Sequence, residues 1–255
     1  MPHRILNVHY LPRSVPEQDL SGSAVIVIDL LRATTTICYA LAAGAEEVVP
    51  FRTIEEAYAA AEKAGRENVV LGGERGGQRI DGFDLGNSPS EYTPDAIRGR
   101  PVYITTTNGT QALHHARMAQ RVLAGSIVNL SAVTESVEDE ERIDVVCAGT
   151  DGHETGEDIL AAGAIVRRMI DCSKATCRTN MSAEAALREW NTVLSSAAKN
   201  GRSLSKELAI EFRDTLGGRN LIDVGLERDL MDCAQVDYLD IVPELDTENW
   251  RITLR

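Results

Sequence analysis

Four segments of this chain combine acids, arginines and hydroxyls directly after short apolar runs. The first reads Asp29-Leu30-Leu31-Arg32-Ala33-Thr34-Thr35-Thr36 and follows Ala24-Val25-Ile26-Val27-Ile28. A carboxylate at that point can hold a hard cation such as Mg²⁺ through oxygen, and an arginine can grip an oxyanion with its planar fork. The second is Gly72-Gly73-Glu74-Arg75-Gly76-Gly77, continued by Gly82-Phe83-Asp84-Leu85-Gly86-Asn87-Ser88-Pro89. Paired glycines let the backbone approach a ligand closely, while Glu74 and Arg75 supply opposite charges. The third, Thr105-Thr106-Thr107-Asn108-Gly109-Thr110, offers hydroxyls and an amide, and the fourth, Ala148-Gly149-Thr150-Asp151-Gly152-His153, leads to Glu157-Asp158.

Each of these residue types also has a structural use. Thr and Asn at a helix start cap it, Asp158 before Ile159 suits the positive end of a helix dipole, and Arg32 and Arg75 can pair with neighbouring acids. Recurrence of the same chemistry at several strand ends is what favours a site.

Those segments need a scaffold that presents strand ends and helix starts together. Runs rich in Val and Ile at 24–28, 47–51, 68–71, 102–105, 121–123 and 143–147 alternate with Ala-rich stretches of helical period, beginning at 33–43. That alternation predicts an α/β fold, three layers of α/β/α about a mostly parallel or mixed sheet, in which ligands bind beyond the carboxyl ends of the strands. Helices are predicted at 159–170, 183–196 and 204–212, making the second half helix-rich, with Ala162 and Gly163 in a packing stripe. Segments 238–242 and 250–254 read as short β-prone pieces for an edge or hairpin. Residues 72–94 read as one long connection, of the kind that carries function. With no repeat or linker, residues 1–255 read as a single domain or two closely packed lobes, and the acidic run at 138–141 reads as a solvated loop.

Composition narrows the function classes. A net charge of −13 over 255 residues argues against a nucleic-acid binder, which needs a basic surface. The five cysteines, Cys38, Cys147, Cys172, Cys177 and Cys233, are odd in number, have no short metal-ligand pairing and read as reduced thiols. No stretch reaches the roughly 18 apolar residues of a membrane helix, and the start lacks a signal peptide's apolar core, so the expectation is a soluble, cytoplasmic protein with no membrane partner. Cys172 and Arg178 share the spacing of cysteine-dependent phosphatases but lack the intervening glycines that wrap a phosphate. The adjacent His114 and His115 cannot face one helical site, and no nucleotide fingerprint is present.

Taken in order, the blocks from Val27 to Thr36, Gly73 to Gly77, Gly82 to Pro89, Thr106 to Thr110, Val146 to Thr150 and Cys233 to Gln235 resemble the 2-phosphosulfolactate phosphatase family. The resemblance spans nearly the whole chain. It implies an α/β/α sandwich, Mg²⁺ as cofactor, and hydrolysis of 2-phosphosulfolactate to 3-sulfolactate and phosphate, a step of coenzyme M biosynthesis. Two segments depart from the family pattern: 151–156, and Gly217-Gly218-Arg219, which has glycine where relatives commonly carry histidine.

A small substrate with phosphate, sulfonate and carboxylate groups needs several cationic or N–H-donating partners. Under this reading Asp29, Arg32, Glu74 and Arg75 are the catalytic candidates. Thr34, Thr35, Asn87, Thr107, Asn108, Thr110 and Arg219 are candidates for holding substrate. Asp29 and Asp158, then Glu74 and Asp84, are the candidate metal ligands. Direct metal-assisted attack by water is favoured over phosphorylation of Asp29. A phosphatase for another 2-hydroxy-acid phosphate and a non-catalytic binder of a phosphorylated metabolite are the rival readings, and a homodimer is the assembly left open.

Overall fold

A computed structural model describes residues 4–172 and 176–255. Among the described residues eleven strands form one sheet: β1 (Arg4–His9), β2 (Ala24–Ile28), β3 (Val48–Pro50), β4 (Val70–Arg75), β5 (Gln78–Arg79), β6 (Val102–Thr105), β7 (Arg121–Gly125), β8 (Arg142–Cys147), β9 (Cys177–Thr179), β10 (Pro243–Asp246) and β11 (Arg251–Leu254). The helices are α1 (Ala33–Ala42), α2 (Ile54–Ala64), α3 (Pro94–Ile97), α4 (Gly109–His115), α5 (Leu130–Glu135), α6 (Gly156–Cys172), α7 (Met181–Asn200), α8 (Leu204–Phe212), α9 (Leu216–Asp223) and α10 (Arg228–Cys233).

The spatial order is β5-β4-β6-β3-β11-β10-β7-β2-β8-β1-β9. Strands β4, β6 and β3 form one parallel block, and β7, β2, β8, β1 and β9 another. The β10–β11 hairpin joins them through antiparallel pairings on both sides. Hence the two blocks run in opposite senses along the sheet. Between β6 and β2 lie five strand steps, and a twist of about 20–25° at each accumulates to about 100–125°. The carboxyl ends of the two blocks therefore converge instead of lying at opposite rims.

One register row shows how the faces are used. Val25, Val122, Leu245, Ile252, Val48, Val102 and Val70 are cross-strand neighbours in sequence across the sheet. All belong to one core cluster with Ile37 and Leu41 of α1 and Leu113 of α4. The alternate residues of β2, Ala24, Ile26 and Ile28, face a second cluster made with α5 to α8, and Leu71 of β4 joins Ala57 and Ala61 of α2 in a third. This gives helices on both faces of a mixed, mostly parallel sheet, the three-layer arrangement. Every residue of β2 is buried, at about 1.5–3 kcal/mol for each large apolar side chain removed from water.

Local chemistry sets the helix ends. Thr53 and Glu56 make a reciprocal capping box at α2. Asn180 caps α7 at the Ala183 N–H, and Gly201 ends that helix in the left-handed conformation. Gly163 is a packing residue, as its stripe predicts, because a side chain there would run into the Ala186 carbonyl of α7.

Several expectations differ from the structure. Residues 68–71 mark only the start of β4, whose strand runs on through both glycines to Arg75, and β5 pairs back onto it. The long connection is thus partly sheet. Segment 238–242 forms no strand; the hairpin begins at Pro243 and lies inside the sheet, not at its edge. Strands β1, β5 and β9 and helices α9 and α10 were not anticipated as elements. Residues 173–175, between Cys172 and Arg178, lie outside the described residues. No helix among the described residues is long and apolar enough to cross a membrane.

Candidate active site

A cavity of about 290 Å³ opens where the two blocks converge, lined by residues following β2, β4, β6 and β8 together with α9. Asp29, the first residue beyond β2, is buried, and its Oδ1 accepts the Ala33 N–H at 3.2 Å. Thr34 and Thr35, predicted to touch substrate, do not line the cavity. Their hydroxyls donate instead to the carbonyls of Asp29 and Leu30, at 3.0 and 2.9 Å. These bonds tie the loop to the start of α1, the helix-start role such hydroxyls often take. Thr110 acts the same way in α4, donating to Thr106 O at 3.0 Å.

Glu74 projects from β4 into the cavity and is fixed by two backbone donors. Thr107 N–H reaches its Oε1 at 2.7 Å and Gly77 N–H its Oε2 at 2.8 Å. Asn87 and Thr107 also line the cavity, and Asn87 Oδ1 and Thr107 Oγ1 are buried without a hydrogen-bond partner among the described residues. Such orphaned atoms in a cavity wall suit a polar ligand. Asn108 lines it too and accepts the Asp151 N–H at 3.1 Å. The tight Thr150–His153 turn, with Asp151 and Gly152 both at positive φ, sets Asp151 at the rim.

Arg32 is the single guanidinium among the described lining residues. Its Nη1 donates to Asp229 Oδ2 at 2.6 Å and Ser88 Oγ at 3.0 Å, and its Nη2 to Gly77 O at 2.7 Å. Ser88 also donates to Asp229 at 2.7 Å, so α10 and the loop after β5 clamp one arginine from two sides.

Three sequence candidates lie elsewhere. Arg75 turns to Glu74 O and Thr105 Oγ1, at 2.7 and 2.9 Å. Arg219 bonds the Asp214 carbonyl at the surface. Asp84 accepts from Leu71 N–H and Arg66, both at 2.8 Å, so its carboxylate braces β4 outside the cavity. Asp158 is close behind the site without lining it: Oδ1 accepts Leu30 N–H at 2.9 Å and Oδ2 accepts Gly149 N–H at 3.0 Å, joining the loops after β2 and β8.

Electrostatics set this region apart. Burial pushes the Asp29 carboxyl up to about 7, with Glu74 and Glu157 adding to the rise against Ala33 N–H and Arg32. Burial, then Glu157 and Asp29, lift Asp158 well above the usual carboxylate range. Burial raises Glu157 as well, opposed by Thr215, Thr155 and Gly217. Around the cavity Asp29, Glu74, Asp151 and Asp223 face one arginine. A multiply charged anion would be repelled from such a lining unless a cation entered with it. No cluster of three or more His, Cys, Asp or Glu among the described residues is arranged to hold a metal. Mg²⁺, however, ordinarily takes only one or two protein carboxylates and fills its other positions with water and substrate. Asp29 and Glu74 fit that demand, both facing the cavity.

Sequence reasoning missed Asp229, Asn220 and Asp223. The last two share a face of α9 by their spacing, a signal visible only once that helix is known. Asp229 carries no local signal.

Fold and site define an α/β protein whose strand ends gather carboxylates and one clamped arginine around a small polar cavity. Residues 9–248 match the family described as 2-phosphosulpholactate phosphatase. A probable 2-phosphosulfolactate phosphatase of Thermotoga maritima is 41% identical over 222 residues, covering 86% of this chain and 88% of its own. Another from Caldanaerobacter subterraneus subsp. tengcongensis is 37% identical over 234 residues, 91% of each chain. One from Carboxydothermus hydrogenoformans is 36% identical over 251 residues, 98% of this chain and 96% of its own. The chain belongs to the 2-phosphosulpholactate phosphatase family.

Proposed function

We propose that this chain is a Mg²⁺-dependent phosphatase that hydrolyses 2-phosphosulfolactate to 3-sulfolactate and phosphate, the reaction of a coenzyme M biosynthesis step, in the cytoplasm. Its relatives' shared description supports the reaction, and the observation that carries the cation is the surplus of carboxylates over guanidinium in the cavity. Asp29 and Glu74 would hold Mg²⁺, which when bound supplies charge neutralisation and Lewis-acid polarisation of a phosphoryl oxygen.

The remaining groups do positional work. Arg32, pinned by Asp229 and Ser88, presents positive charge to an oxyanion of the substrate. Thr107 Oγ1, unpartnered in the wall, offers a hydrogen bond to another of its oxygens, while the unpartnered Asn87 Oδ1 can accept one from a protonated substrate oxygen or a water. Water attacks phosphorus, the bond from phosphorus to the C2 oxygen breaks, and the proton that the water gives up is balanced by the one the leaving alkoxide takes to become the hydroxyl of sulfolactate. Because phosphoryl transfer needs alignment and charge stabilisation more than covalent help, a preformed wall of this kind suits it.

The test is phosphate release from 2-phosphosulfolactate, phospholactate, phosphoglycolate and a nucleotide, each with Mg²⁺ and with chelator. Metal-dependent release, greatest from the sulfonate, is expected. Release only from the others would move the substrate, and none from any would overturn the reading in favour of a binding protein.

A further inference from the structure

A second cavity, of about 430 Å³, lies away from the strand-end site and is walled by Pro50, Phe51, Arg52, Glu56, His114, Arg117, Thr247 and Trp250. Its volume is in the range of small-molecule sites. Trp250 closes the β10–β11 turn at φ 56°, a left-handed conformation in which a bulky side chain is a rare occupant and Gly or Asn the ordinary one. The indole is nevertheless held: its Nε1 donates to Pro50 O at 2.7 Å, and its ring meets His114 at a centroid distance of 5.4 Å and an interplanar angle of 65°. A rigid aromatic wall at a strained backbone position suggests selection for the wall itself.

Two arginines are fixed beside it. Arg52 Nε donates to Gln111 Oε1 at 3.2 Å while Gln111 Nε2 donates back to Arg52 O at 3.1 Å. Arg117 bonds His114 O at 3.1 Å and pairs with Glu17. Burial holds the His114 imidazole below its ordinary value; Arg117 and Arg52 lower it further and Glu17 and Glu56 oppose them, so both guanidinium charges and two carboxylates lie near the same ring. The acid in the wall, Glu56, is occupied by the α2 capping box through the Arg52 and Thr53 N–H groups, at 3.1 and 3.3 Å. The wall thus sets two arginines, one of them paired with Glu17, beside the single acid Glu56.

We propose that this cavity is a second ligand site, for a flat aromatic anion of the nucleoside monophosphate class, with the ring against Trp250 and the anionic group between Arg52 and Arg117. Aromatic stacking and charge-assisted hydrogen bonds are the two interactions such a ligand needs, and this wall offers both. Helix α4 links the site to the first cavity, since Asn108 precedes it there and His114 lies near its end here.

The chain has two tryptophans, and the other, Trp190, is 3% exposed in the core, so quenching of tryptophan emission reports on Trp250. The probes are AMP and GMP, with ribose 5-phosphate and inorganic phosphate as ringless controls. Saturable quenching by the nucleotides at submillimolar concentration is expected, with at least about tenfold weaker binding in the Arg52→Gln/Arg117→Gln variant, the loss of one good charged contact being about 1.4 kcal/mol or more. Trp250→Phe serves as a second variant, keeping an aromatic ring and read by calorimetry, which should still detect nucleotide. Absence of saturable quenching, equal affinity in the double-arginine variant, or equal binding of the ringless phosphates would overturn the proposal.

Discussion

Asp29 and Asp144 are both aspartates buried at the parallel half of the sheet, and their surroundings are opposite. Asp144, within β8, is met by His9 Nε2 at 2.9 Å, Asn7 Nδ2 at 3.0 Å and Arg142 Nε at 2.9 Å. Burial alone would raise its carboxyl, but those donors and charges outweigh it and hold the group below the usual carboxylate range. The Asp29 carboxylate accepts the Ala33 N–H alone among the described residues; burial lifts it to about 7, with Glu74 and Glu157 adding to the rise. Burial raises both carboxyls, and the groups buried beside each set the net direction: donors and cations overcome it at Asp144, whereas carboxylates add to it at Asp29. A structural acid is given partners by the chain, whereas an acid left among like charges awaits a partner from solution.

The largest expected effects separate the two residues. Asp29→Asn should lower phosphate release by about 10²–10³-fold or more while leaving the thermal midpoint unchanged or higher, because a repelled charge is removed. Asp144→Ala should do the reverse: turnover near normal at low temperature, and a loss of about 3–5 kcal/mol in urea unfolding, because His9 and Arg142 lose their buried partner. Equal loss of activity in both variants would erase the comparison.

Next in size is Asp229→Asn, which leaves Arg32 without its charged anchor. Asp229 is a positioning residue, so kcat/KM should fall by about 10²-fold with the metal requirement unchanged. Normal kinetics in this variant would mean that the clamp on Arg32 is dispensable.

A smaller effect concerns acid. The carboxyl of Asp144 is lowered in the folded chain, so its contribution is fully present above the unfolded value of about 3.9 and is lost as pH falls through the folded value. Urea midpoints measured from neutral pH downward should show this limb below about pH 4 in the native chain, and a shallower one in Asp144→Ala. The smallest effect is Arg219→Ala, whose guanidinium lies on a surface carbonyl; a change of more than about threefold in kcat/KM would exceed what a surface substitution of this kind explains.

The parts of this molecule legible in sequence are those where one element decides its own fate. β2 is buried on both faces and reads as an unbroken apolar run, and the helix read at 204–212 is α8 as observed, with Ser203 capping it. Asp29, Glu74, Thr107 and Asn108 could be placed near a cavity because each follows such a strand, and Asn87 because it lies in the long glycine-rich connection. Contacts between distant segments were not legible. Asp229 meets Arg32 across 197 positions of sequence, and Asp84 was drawn off to Arg66 and the Leu71 N–H. The hairpin of β10 and β11 has little apolar content to mark it as interior, and its central place follows from two parallel blocks that each needed an antiparallel partner.

The most direct test is calorimetric titration of Mg²⁺ into the native chain, Asp29→Asn and Asp144→Asn at pH 7.5. The account predicts one binding event in the native chain, kept in Asp144→Asn and weakened by at least about tenfold in Asp29→Asn, where one of two carboxylate ligands has lost its charge. Undiminished binding in Asp29→Asn, or no binding in the native chain with or without substrate present, would contradict it.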